Sequence, residues 1–362
     1  TRDGLVSNEV SRLLEDRDGD IWAATDSGLM RYDGRTWSRI GEEWEQLRGR
    51  PKVLLEDHEG NIWVAVLALN TKRQGRGVMR FDGESWELFD EDDGLDYGAV
   101  RAMGEDRRGR LWFGTDRGLT RLDGQIWRSF NREDGLGEGV TSIAEDDEGV
   151  LWLGTMAGVY RFDGQVFQPL LRSDGLASDA IYEILQDRKG VYWIGGGSGL
   201  TRYEPVVAPP PVHIRAVVAG ERYDEVDHVR MPSTADHVGI EFDSPSVKTR
   251  NAGMAYRYRL GGVDSTWQIT RQPAVEYFDL PLGSYLFEVE AIDRDLGVSD
   301  PPAQLRIEVH PPYLQILTSV TIGLLMLAGG LALGTVWHRR RQRLFVAEAR
   351  SRDLQELNEA LQ

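Results

Sequence analysis

The hydrophobic positions of this chain follow two different patterns. Up to about residue 310, apolar and polar residues alternate in short runs separated by Gly, Asp and Pro, as in β-strands joined by tight turns. From Leu314 to Trp337, LQILTSVTIGLLMLAGGLALGTVW carries no charged side chain. A helix of that length crosses a hydrocarbon core of about 30 Å. The sequence therefore predicts a mainly β chain with one transmembrane helix at residues 314–337.

The alternating part contains five copies of one pattern. Each copy has an apolar run ending in an acidic pair or its equivalent, a turn with Gly, a run with Trp, and a third strand; in four copies an Asp-Gly turn and a fourth strand follow. The repeated tryptophans are Trp22, Trp63, Trp112, Trp152 and Trp193. Four short strands in about 40 residues are typical of a β-propeller blade. We expect residues 1–204 to form blades with these tryptophans packed between them.

Linkers that begin with DGL join several of the copies. DGLDYGAV, DGLGEGVT and DGLASDAI each stand between two copies, and DGLVSNEV at residues 3–10 precedes the first copy. Because that linker has no blade before it, we expect an incomplete propeller with further blades upstream. The chain does not open with a basic segment followed by an apolar run, so an exported protein would carry its signal peptide upstream as well.

Beyond Tyr203 the pattern changes. EPVVAPPPV forms a Pro-rich junction, which we place at residues 205–212. Residues 213–310 contain six alternating runs separated by Gly, Pro and Asp: VHIRAVVAG, HVGIEFDS, AYRYRLGG, AVEYFDL, GSYLFEVEAID and QLRIEVH. Strands at this density in about 100 residues predict a β-sandwich of the immunoglobulin-like type.

These patterns resemble a known family. The repeat DG-x-IW-x-G-T-x-x-G-L-x-R-x-DG is similar to the two-component regulator propeller repeat, and Y-R-Y-R-L-x-G-x-D-x-x-W from Tyr256 to Trp267, with PPY at residues 311–313, resembles the YYY domain that follows such propellers. The resemblance implies the ligand-sensing part of a bacterial sensor of the hybrid two-component type. It further implies that a histidine kinase follows residue 362, with a response regulator as partner of that missing part.

Charges beside the apolar stretch predict its orientation. HRRRQR follows the stretch, whereas residues 311–313 precede it without a nearby cluster of Lys or Arg. The positive-inside rule therefore places residues 338–362 in the cytoplasm and the preceding modules outside the inner membrane. The predicted membrane anchors are Tyr313, Trp337, Arg339, Arg340 and Arg341.

Two further patterns predict a homodimer. Heptad a and d positions of residues 338–362, a cytoplasmic signalling helix, are occupied by Leu344, Ala347, Ser351, Leu354, Asn358 and Leu361, which indicates the start of a coiled coil. Within the span, Gly330 and Gly334 form a G-x-x-x-G pair that lets two helices approach. We expect dimer contacts at Gly330, Gly334, Leu354, Asn358 and Leu361.

Composition narrows the functions. The formal net charge of -17 repels nucleic acid, so we expect no nucleic-acid contact. Cysteine is absent, so the chain has no disulfide framework.

The acids of DRDGD imitate a calcium loop, but Ile21 and Ser27 occupy the positions of its Gly and Glu, which favours a hairpin turn. The acidic pairs recur from blade to blade, whereas a catalytic residue breaks a repeat, so we interpret them as structural.

No other pattern predicts catalysis, a metal site or a cofactor in this segment. The six histidines have no metal-ligand spacing, and GGGSG at residues 195–199 lacks the Lys and Ser or Thr of a phosphate loop. The ligand implied by the resemblance is an extracellular small molecule or oligosaccharide. Candidate contacts are Trp44 and Tyr97, for which packing is the favoured role, and Lys72, Arg73 and Arg76 in an extra loop of the second blade.

Several functional alternatives stay open. The same outer modules can precede a diguanylate cyclase, a serine phosphatase or a DNA-binding output. From another class, the chain can be a membrane-anchored propeller enzyme acting on polysaccharide, which predicts an asymmetric cluster of acids in the central channel. A surface adhesion module is a third alternative, less favoured because an anchor needs no continuing coiled coil.

Overall fold

The computed structural model describes residues 4–44, 47, 50–67, 77–96, 98–137, 139–206, 208–250 and 253–360. Their first half forms five small antiparallel sheets, each built from consecutive strands. Blade 1 contains β1 (Val10–Glu15), β2 (Ile21–Thr25), β3 (Gly28–Tyr32) and β4 (Trp37–Ile40). Blade 2 contains β5 (Arg50–Glu56), β6 (Ile62–Leu67), β7 (Gly77–Phe81) and β8 (Trp86–Phe89).

The remaining blades repeat this order. Blade 3 contains β9 (Val100–Glu105), β10 (Leu111–Thr115), β11 (Leu119–Asp123) and β12 (Ile126–Phe130). Blade 4 contains β13 (Val140–Glu145), β14 (Leu151–Thr155), β15 (Gly158–Phe162) and β16 (Phe167–Leu170). Blade 5 has three strands, β17 (Ile181–Gln186), β18 (Tyr192–Gly196) and β19 (Gly199–Tyr203). The linkers that lead into blades 4 and 5 contain the short 3-10 helices Arg132–Asp134 and Arg172–Asp174.

The first strand of each blade lies beside the first strand of the next. The repeated Trp of one blade packs against the following blade: Trp22 lies among Leu54 and Val64, and Trp112 lies among Leu151 and Phe162. Trp22, Trp63, Trp112 and Trp152 are buried. The predicted role in packing between blades is therefore confirmed for these four tryptophans, whereas Trp193 of blade 5 is partly exposed. The chain is mainly β, and its first part is a partial propeller, as the repeats predicted.

The acidic pairs hold the turn between the first and second strands. In each blade the second acid accepts backbone N–H bonds from its own turn, as Asp16 Oδ1 does from Asp18 (3.1 Å) and Asp20 (2.9 Å). Its other oxygen accepts a hydrogen bond from the repeated indole N–H, in the pairs Trp22–Asp16 (2.7 Å), Trp63–Asp57 (2.7 Å), Trp112–Asp106 (2.7 Å), Trp152–Asp146 (2.8 Å) and Trp193–Asp187 (3.1 Å). The DRDGD segment is thus the hairpin turn that its sequence favoured.

The first residue of each pair joins neighbouring blades. Its side chain accepts a backbone N–H from the equivalent turn of the preceding blade: Arg17 to Glu56 (3.0 Å), His58 to Glu105 (2.8 Å), Arg107 to Glu145 (2.8 Å) and Asp147 to Gln186 (3.3 Å). We call the side that carries these turns the turn face, and the opposite side, where the first strands begin, the linker face. The structural interpretation of the acidic pairs is confirmed.

A two-sheet β-sandwich follows the blades. One sheet has the order β21-β20-β23-β26 and the other the order β22-β28-β27-β24-β25, with only β22 and β28 parallel among the described pairs. The strands are β20 (His213–Ala219), β21 (Glu221–Asp224), β22 (His228–Pro232), β23 (His237–Asp243), β24 (Ala255–Leu260), β25 (Gln268–Thr270), β26 (Ala274–Phe278), β27 (Gly283–Ile292) and β28 (Ala303–His310). Phe242, Phe287 and Ile307 lie in its core.

A single helix, α1 (Tyr313–Ala360), ends the described chain. Only residues 311 and 312 separate it from β28. It is long and apolar enough to cross a membrane. The predicted span and the predicted cytoplasmic helix are therefore parts of one continuous helix of 48 residues.

Candidate functional site

The first strand of every blade carries a β-bulge near its start, on the linker face. The register between first and second strands slips by one residue there in all five blades. The residues left over at the slips, which we call the bulge residues, are Ser11, Lys52, Arg101, Thr141 and Tyr182. A bulge takes a side chain out of the regular ladder and re-aims it. The propeller thus presents five different side chains from equivalent positions on one face.

Three of the bulge residues line a cleft across blades 3, 4 and 5. The cleft has a volume of about 1120 Å³, and Arg101, Thr141 and Tyr182 all contribute to its wall. Tyr182 is 57% exposed and Met156, which also lines the cleft, is 52% exposed. These two side chains offer apolar contact surface among polar groups, which is a common composition of small-molecule sites.

Charged groups of both signs surround these apolar surfaces. Arg101 forms an ion pair with Asp116, and the linker residues Arg132 and Glu133 also line the cleft. Thr141 Oγ donates to the carbonyl oxygen of Ile181 (2.6 Å), so blades 4 and 5 are bonded within the cleft. The cleft can therefore bind a ligand rich in hydroxyl or carboxyl groups through charge-assisted hydrogen bonds.

The bulge residues of blades 1 and 2 form a separate polar cluster. Lys52 Nζ lies 2.9 Å from Ser11 Oγ and 3.5 Å from Asp26 Oδ1. Arg50 Nη1 lies 3.9 Å from Asp26 Oδ2. A hydrogen bond between the carboxyl groups of Glu9 and Asp26 raises the pKa of Glu9 and lowers the pKa of Asp26. Glu9 and Asp26 are thus one group of acids on the linker face, and Asp116 and Glu133 of the cleft are another.

Blade 4 is also the blade on which the sandwich docks. The third strand of each blade contains an Arg. In four blades the guanidinium of this Arg lies over the ring of the repeated Trp, at 5.4 Å for Arg31, 5.9 Å for Arg80, 5.9 Å for Arg121 and 5.0 Å for Arg161. Only blade 4 among these has that Arg paired with the sandwich, since Arg161 Nη2 lies 2.9 Å from Asp295 Oδ1. Both side chains are almost completely buried, with exposures of 2% and 1%.

Further charged groups complete this buried junction. Tyr203 hydrogen-bonds Asp295, and Lys248 Nζ lies 2.6 Å from Asp293 Oδ2 and 3.6 Å from Asp295 Oδ2. Burial and the hydrogen bond to Asp295 raise the pKa of Tyr203 to about 12, against the opposing charge of Arg161. Burial opposes ionisation of Asp295, but its bond from Tyr203 and the charges of Arg161 and Lys248 hold its pKa below the ordinary value. We call Arg161, Tyr203, Lys248, Asp293 and Asp295 the junction cluster.

Direct contacts extend the junction along the outer strand of blade 4. Gln168 Nε2 donates to the carbonyl oxygen of Ile292 (2.8 Å), and Arg294 Nη1 lies 3.0 Å from Asp174 Oδ1. Val166 packs with Ala255 and Ile292 in a small apolar cluster. The junction therefore combines apolar packing, a buried ion pair and a bond to the linker that leads into blade 5.

The sequence-predicted site residues have different placements. Trp44 packs against the core between blades 1 and 2, while Tyr97, Lys72, Arg73, Arg76 and Leu361 lie outside the described residues. Leu354 and Asn358 belong to α1. Tyr313, Gly330, Gly334, Trp337, Arg339, Arg340 and Arg341 are all exposed on that helix, with Arg341 5.1 Å from the ring of Trp337.

Sequence reasoning missed the bulge residues and the junction cluster. The signal for the bulge residues was available, because their position differs in every copy of an otherwise uniform repeat. Arg161 could not be identified in that way, since every copy has an Arg at its position. Its role comes from Asp295, which lies 134 residues further along the chain and outside the repeats.

Two family models match parts of the chain. The Two component regulator propeller model matches residues 4–27, 94–117 and 134–157, and the Y_Y_Y domain model matches residues 249–310. Each propeller match contains a linker and the first two strands of a blade. The domain match contains β24 to β28. No curated protein matches the chain.

Several solved structures are similar. The extracellular domain of a hybrid two component system from B. thetaiotaomicron aligns over 85% of this chain and 51% of its own, with 20% identity and a TM-score of 0.42. PorZ, a surface component of the type-IX secretion system of Porphyromonas gingivalis, aligns over 83% and 45%, with 16% identity and a TM-score of 0.46. A gluconolactonase from Xanthomonas campestris aligns over 53% and 71%, with 16% identity and a TM-score of 0.41.

The chain spans about half the length of the first two of these structures (51% and 45%). The family matches fall on the blades and on the sandwich, in the order in which the structure presents these modules. An apolar helix long enough to cross a membrane follows directly. The chain therefore carries two component regulator propeller repeats followed by a Y_Y_Y domain.

Proposed function

We propose that this chain is the ligand-sensing outer part and the membrane span of a two-component sensor, whose output is a histidine kinase following residue 362. The observation that supports this most directly is the double role of blade 4. Its residues Thr141 and Met156 line the cleft, and its residues Arg161 and Gln168 bind the sandwich. A ligand in the cleft thus contacts the one blade whose repeated Arg is joined to the rest of the signalling path.

The proposed path leads from blade 4 to the membrane without a flexible connection. The junction cluster and the Gln168 bond link blade 4 to the segment around β27. Residues 283–289 of β27 pair with β28, and two residues separate the end of β28 from the start of α1. A ligand shifts the equilibrium between two arrangements of such a molecule only if it binds one of them more tightly than the other. We propose that the two arrangements differ in how blades 3, 4 and 5 close around the cleft.

The chemistry of the cleft favours a hydroxyl-rich ligand. Tyr182 and Met156 provide exposed apolar surface, and Arg101 and Asp116 provide donors and acceptors beside it. Sugar rings have an apolar face and a hydroxylated edge, so a short oligosaccharide, with or without a carboxylate, fits this combination. The volume of about 1120 Å³ has room for more than one sugar ring.

The proposal includes a homodimer in the inner membrane. Helix α1 continues from the predicted span into the predicted heptads, so a change in one part of the helix can reach the other. Two copies side by side would allow the kinase parts to act on each other, and a response regulator would receive the phosphoryl group.

Autophosphorylation of the full-length protein in lipid nanodiscs tests this function. The rate is measured with a panel of short neutral and uronic-acid-containing oligosaccharides. We expect at least one of them to change the rate in the unsubstituted protein, and Tyr182→Ala to remove that response. Lys52→Ala is the matched control, since Lys52 is the bulge residue of a blade that does not line the cleft. A rate that is constant across the panel would count against the proposal.

The alternative of a polysaccharide-cleaving enzyme finds less support in this geometry. On the linker face, Glu9 and Asp26 lie close enough for each carboxyl group to shift the pKa of the other, so no sugar fits between them. Glycosidase carboxyl groups stand about 5 to 10 Å apart so that a sugar, and in inverting enzymes a water, fits between them. The sensor function is therefore the one that the described residues favour.

A further inference from the structure

The end of the sandwich that faces α1 exposes apolar side chains. Strand β28 ends there, with Val309 paired to Gly283 and His310 paired to Pro232. The loops of residues 233–236 and 279–282 therefore lie at the same end as the start of the helix. Phe278 is 62% exposed and Leu282 is 58% exposed. We call Phe278, Leu282 and Tyr313 the apolar rim.

The rim loops and the start of the helix are held in place. Tyr285 Oη donates to the carbonyl oxygen of Pro281 (2.9 Å), and Leu280 of the same loop is buried in the sandwich core. Across the connection to α1, the rings of His310 and Tyr313 stack at 5.4 Å, and the Ile316 N–H donates to the Pro312 carbonyl oxygen (3.0 Å). The rim thus has a defined position relative to the first turn of the helix.

Helix geometry places this rim at the level of the lipid headgroups. With Trp337 at the inner interface, a hydrocarbon core of about 30 Å takes up about 20 residues, so its outer boundary falls near Leu317. Tyr313 then stands about 6 Å above that boundary. The headgroup layer of one leaflet is about 5 to 7 Å thick. The sandwich end at His310 therefore meets this layer rather than open water.

We propose that the apolar rim inserts Phe278 and Leu282 into the outer headgroup layer, so that the sandwich rests on the bilayer crossed by α1. The rim loops of residues 233–236 and 279–282 contain Asp236 and Asp279 and no Lys or Arg. Electrostatics therefore favours a zwitterionic leaflet, and anionic lipid weakens the contact. The contact would limit the sandwich to a few tilt angles relative to the bilayer. Each tilt angle would set the direction in which α1 leaves the sandwich.

This inference rests on α1 as the membrane span of the proposed function, but not on ligand binding. Because the chain has no cysteine, one introduced Cys can carry a spin label without a background signal. The variants are Phe278→Cys and Leu282→Cys at the rim, Leu325→Cys within the span, and Val247→Cys. Val247 is a fully exposed apolar residue beside the junction cluster, at the other end of the sandwich, and serves as the matched control.

Collision of each label with oxygen and with a water-soluble nickel chelate is measured on the whole chain in phosphatidylcholine nanodiscs. We expect the oxygen-to-nickel ratio at residues 278 and 282 to be severalfold higher than at 247, to be highest at 325, and to fall at the rim when anionic lipid is added. If the oxygen-to-nickel ratios at residues 278 and 282 equal the ratio at 247 while the ratio at 325 is high, the rim contact is overturned and the membrane span is not. A water-like label at 325 would overturn the span itself.

A second copy of the chain is the competing occupant of the rim. Labels covered by another protein surface are shielded from both oxygen and the nickel chelate. Low collision rates with both reagents at residues 278 and 282, restored to water-like values when the copies are separated into one chain per nanodisc, would show a dimer contact and overturn the proposal.

Discussion

The two faces of the propeller differ in how far the repeats agree. On the turn face, every blade uses the same Asp to hold its turn and its Trp, and blades 2 to 5 use Glu or Gln to bind the turn of the preceding blade. On the linker face, the bulge residues are Ser, Lys, Arg, Thr and Tyr. The turn face therefore builds the blades, and the linker face is free to differ. In the proposed function, folding and recognition therefore depend on opposite ends of the same strands.

The largest effect on stability is expected from replacing an Asp of the turn face. This replacement tests whether the turn face holds the blades together. Asp146 accepts hydrogen bonds from Trp152 Nε1 (2.8 Å), Tyr192 Oη (2.7 Å) and two backbone N–H groups. Asp146→Ala leaves these four donors without their acceptor, two of them buried and two partly buried, and we expect it to lower the local unfolding free energy by about 4 kcal/mol or more. Hydrogen exchange of the β14 amides measures this change.

The matched control is Glu148→Ala in the same turn, where the side chain is exposed. We expect it to change the exchange of β14 by less than about 0.5 kcal/mol. Equal effects of the two substitutions would show that the Asp bonds do not hold the blade.

The second prediction compares blade 4, whose repeated Arg pairs with the sandwich, with blade 3, whose repeated Arg pairs within its own blade. Arg161→Met removes the cation that lies 2.9 Å from the buried Asp295 and leaves Lys248 Nζ at 3.6 Å, and breaking a buried pair in this way costs about 3 kcal/mol or more. Arg121→Met is the matched change in blade 3, where the Arg pairs with Asp123 at 3.8 Å within its own blade. We expect Arg161→Met to expose the junction to hydrogen exchange and Arg121→Met to leave it unchanged.

Hydrogen exchange at residues 291–296 distinguishes these results. Increased exchange in both variants, or in neither, would contradict the assignment of blade 4 as the docking blade.

The third prediction concerns pH at the same junction. The pKa of Tyr203 is raised to about 12, above its ordinary value of 10.0, so the contribution of neutral Tyr203 to the stability of the junction is complete below pH 10 and is lost as pH rises from 10 to 12. A rise of that size corresponds to at most about 2 to 3 kcal/mol. We expect Tyr203→Phe to be less stable at neutral pH and to lose less stability between pH 10 and 12 than the parent chain, because the other tyrosines with raised pKa values are present in both. Thermal unfolding of both chains in that pH range measures the difference.

The smallest stability effect is expected on the linker face. Arg101 and Tyr182 are about half exposed, and both line the cleft. We expect Arg101→Ala and Tyr182→Ala each to change the unfolding free energy by less than about 0.5 kcal/mol. The same changes should weaken binding of a responding oligosaccharide about tenfold, or about 1.4 kcal/mol. Calorimetric titration measures binding; unchanged affinity, or a large loss of stability, would contradict the division between the faces.

The repeats allowed the blades to be predicted from sequence because each strand recurs in register with the next copy. In the sandwich, the six runs with clear alternation were found, whereas β21, β22 and β25 were not. All three are edge strands, two of them short, and β22 pairs in parallel with a strand far along the chain. Edge strands pack fewer apolar side chains, so the period of two is weak in them.

The site was less accessible to sequence reasoning than the fold. Trp44 was a weak candidate for ligand contact whose favoured role was packing, and it packs against the core between blades 1 and 2. The bulge residues are ordinary polar residues whose importance depends on a one-residue slip in strand pairing, which hydrophobic pattern does not encode. Asp295 lies in a turn of the sandwich, and its pairing with Arg161 depends on how two modules dock.

Coupling through blade 4 is tested most directly by autophosphorylation and ligand binding of the Arg161→Gln variant of the full-length protein in nanodiscs. The oligosaccharide that changes the rate of the unsubstituted protein serves as the probe, and Arg121→Gln serves as the control. The predicted result is that Arg161→Gln binds the probe with unchanged affinity but no longer changes its rate, while Arg121→Gln binds and responds normally. A full response of Arg161→Gln would contradict the account.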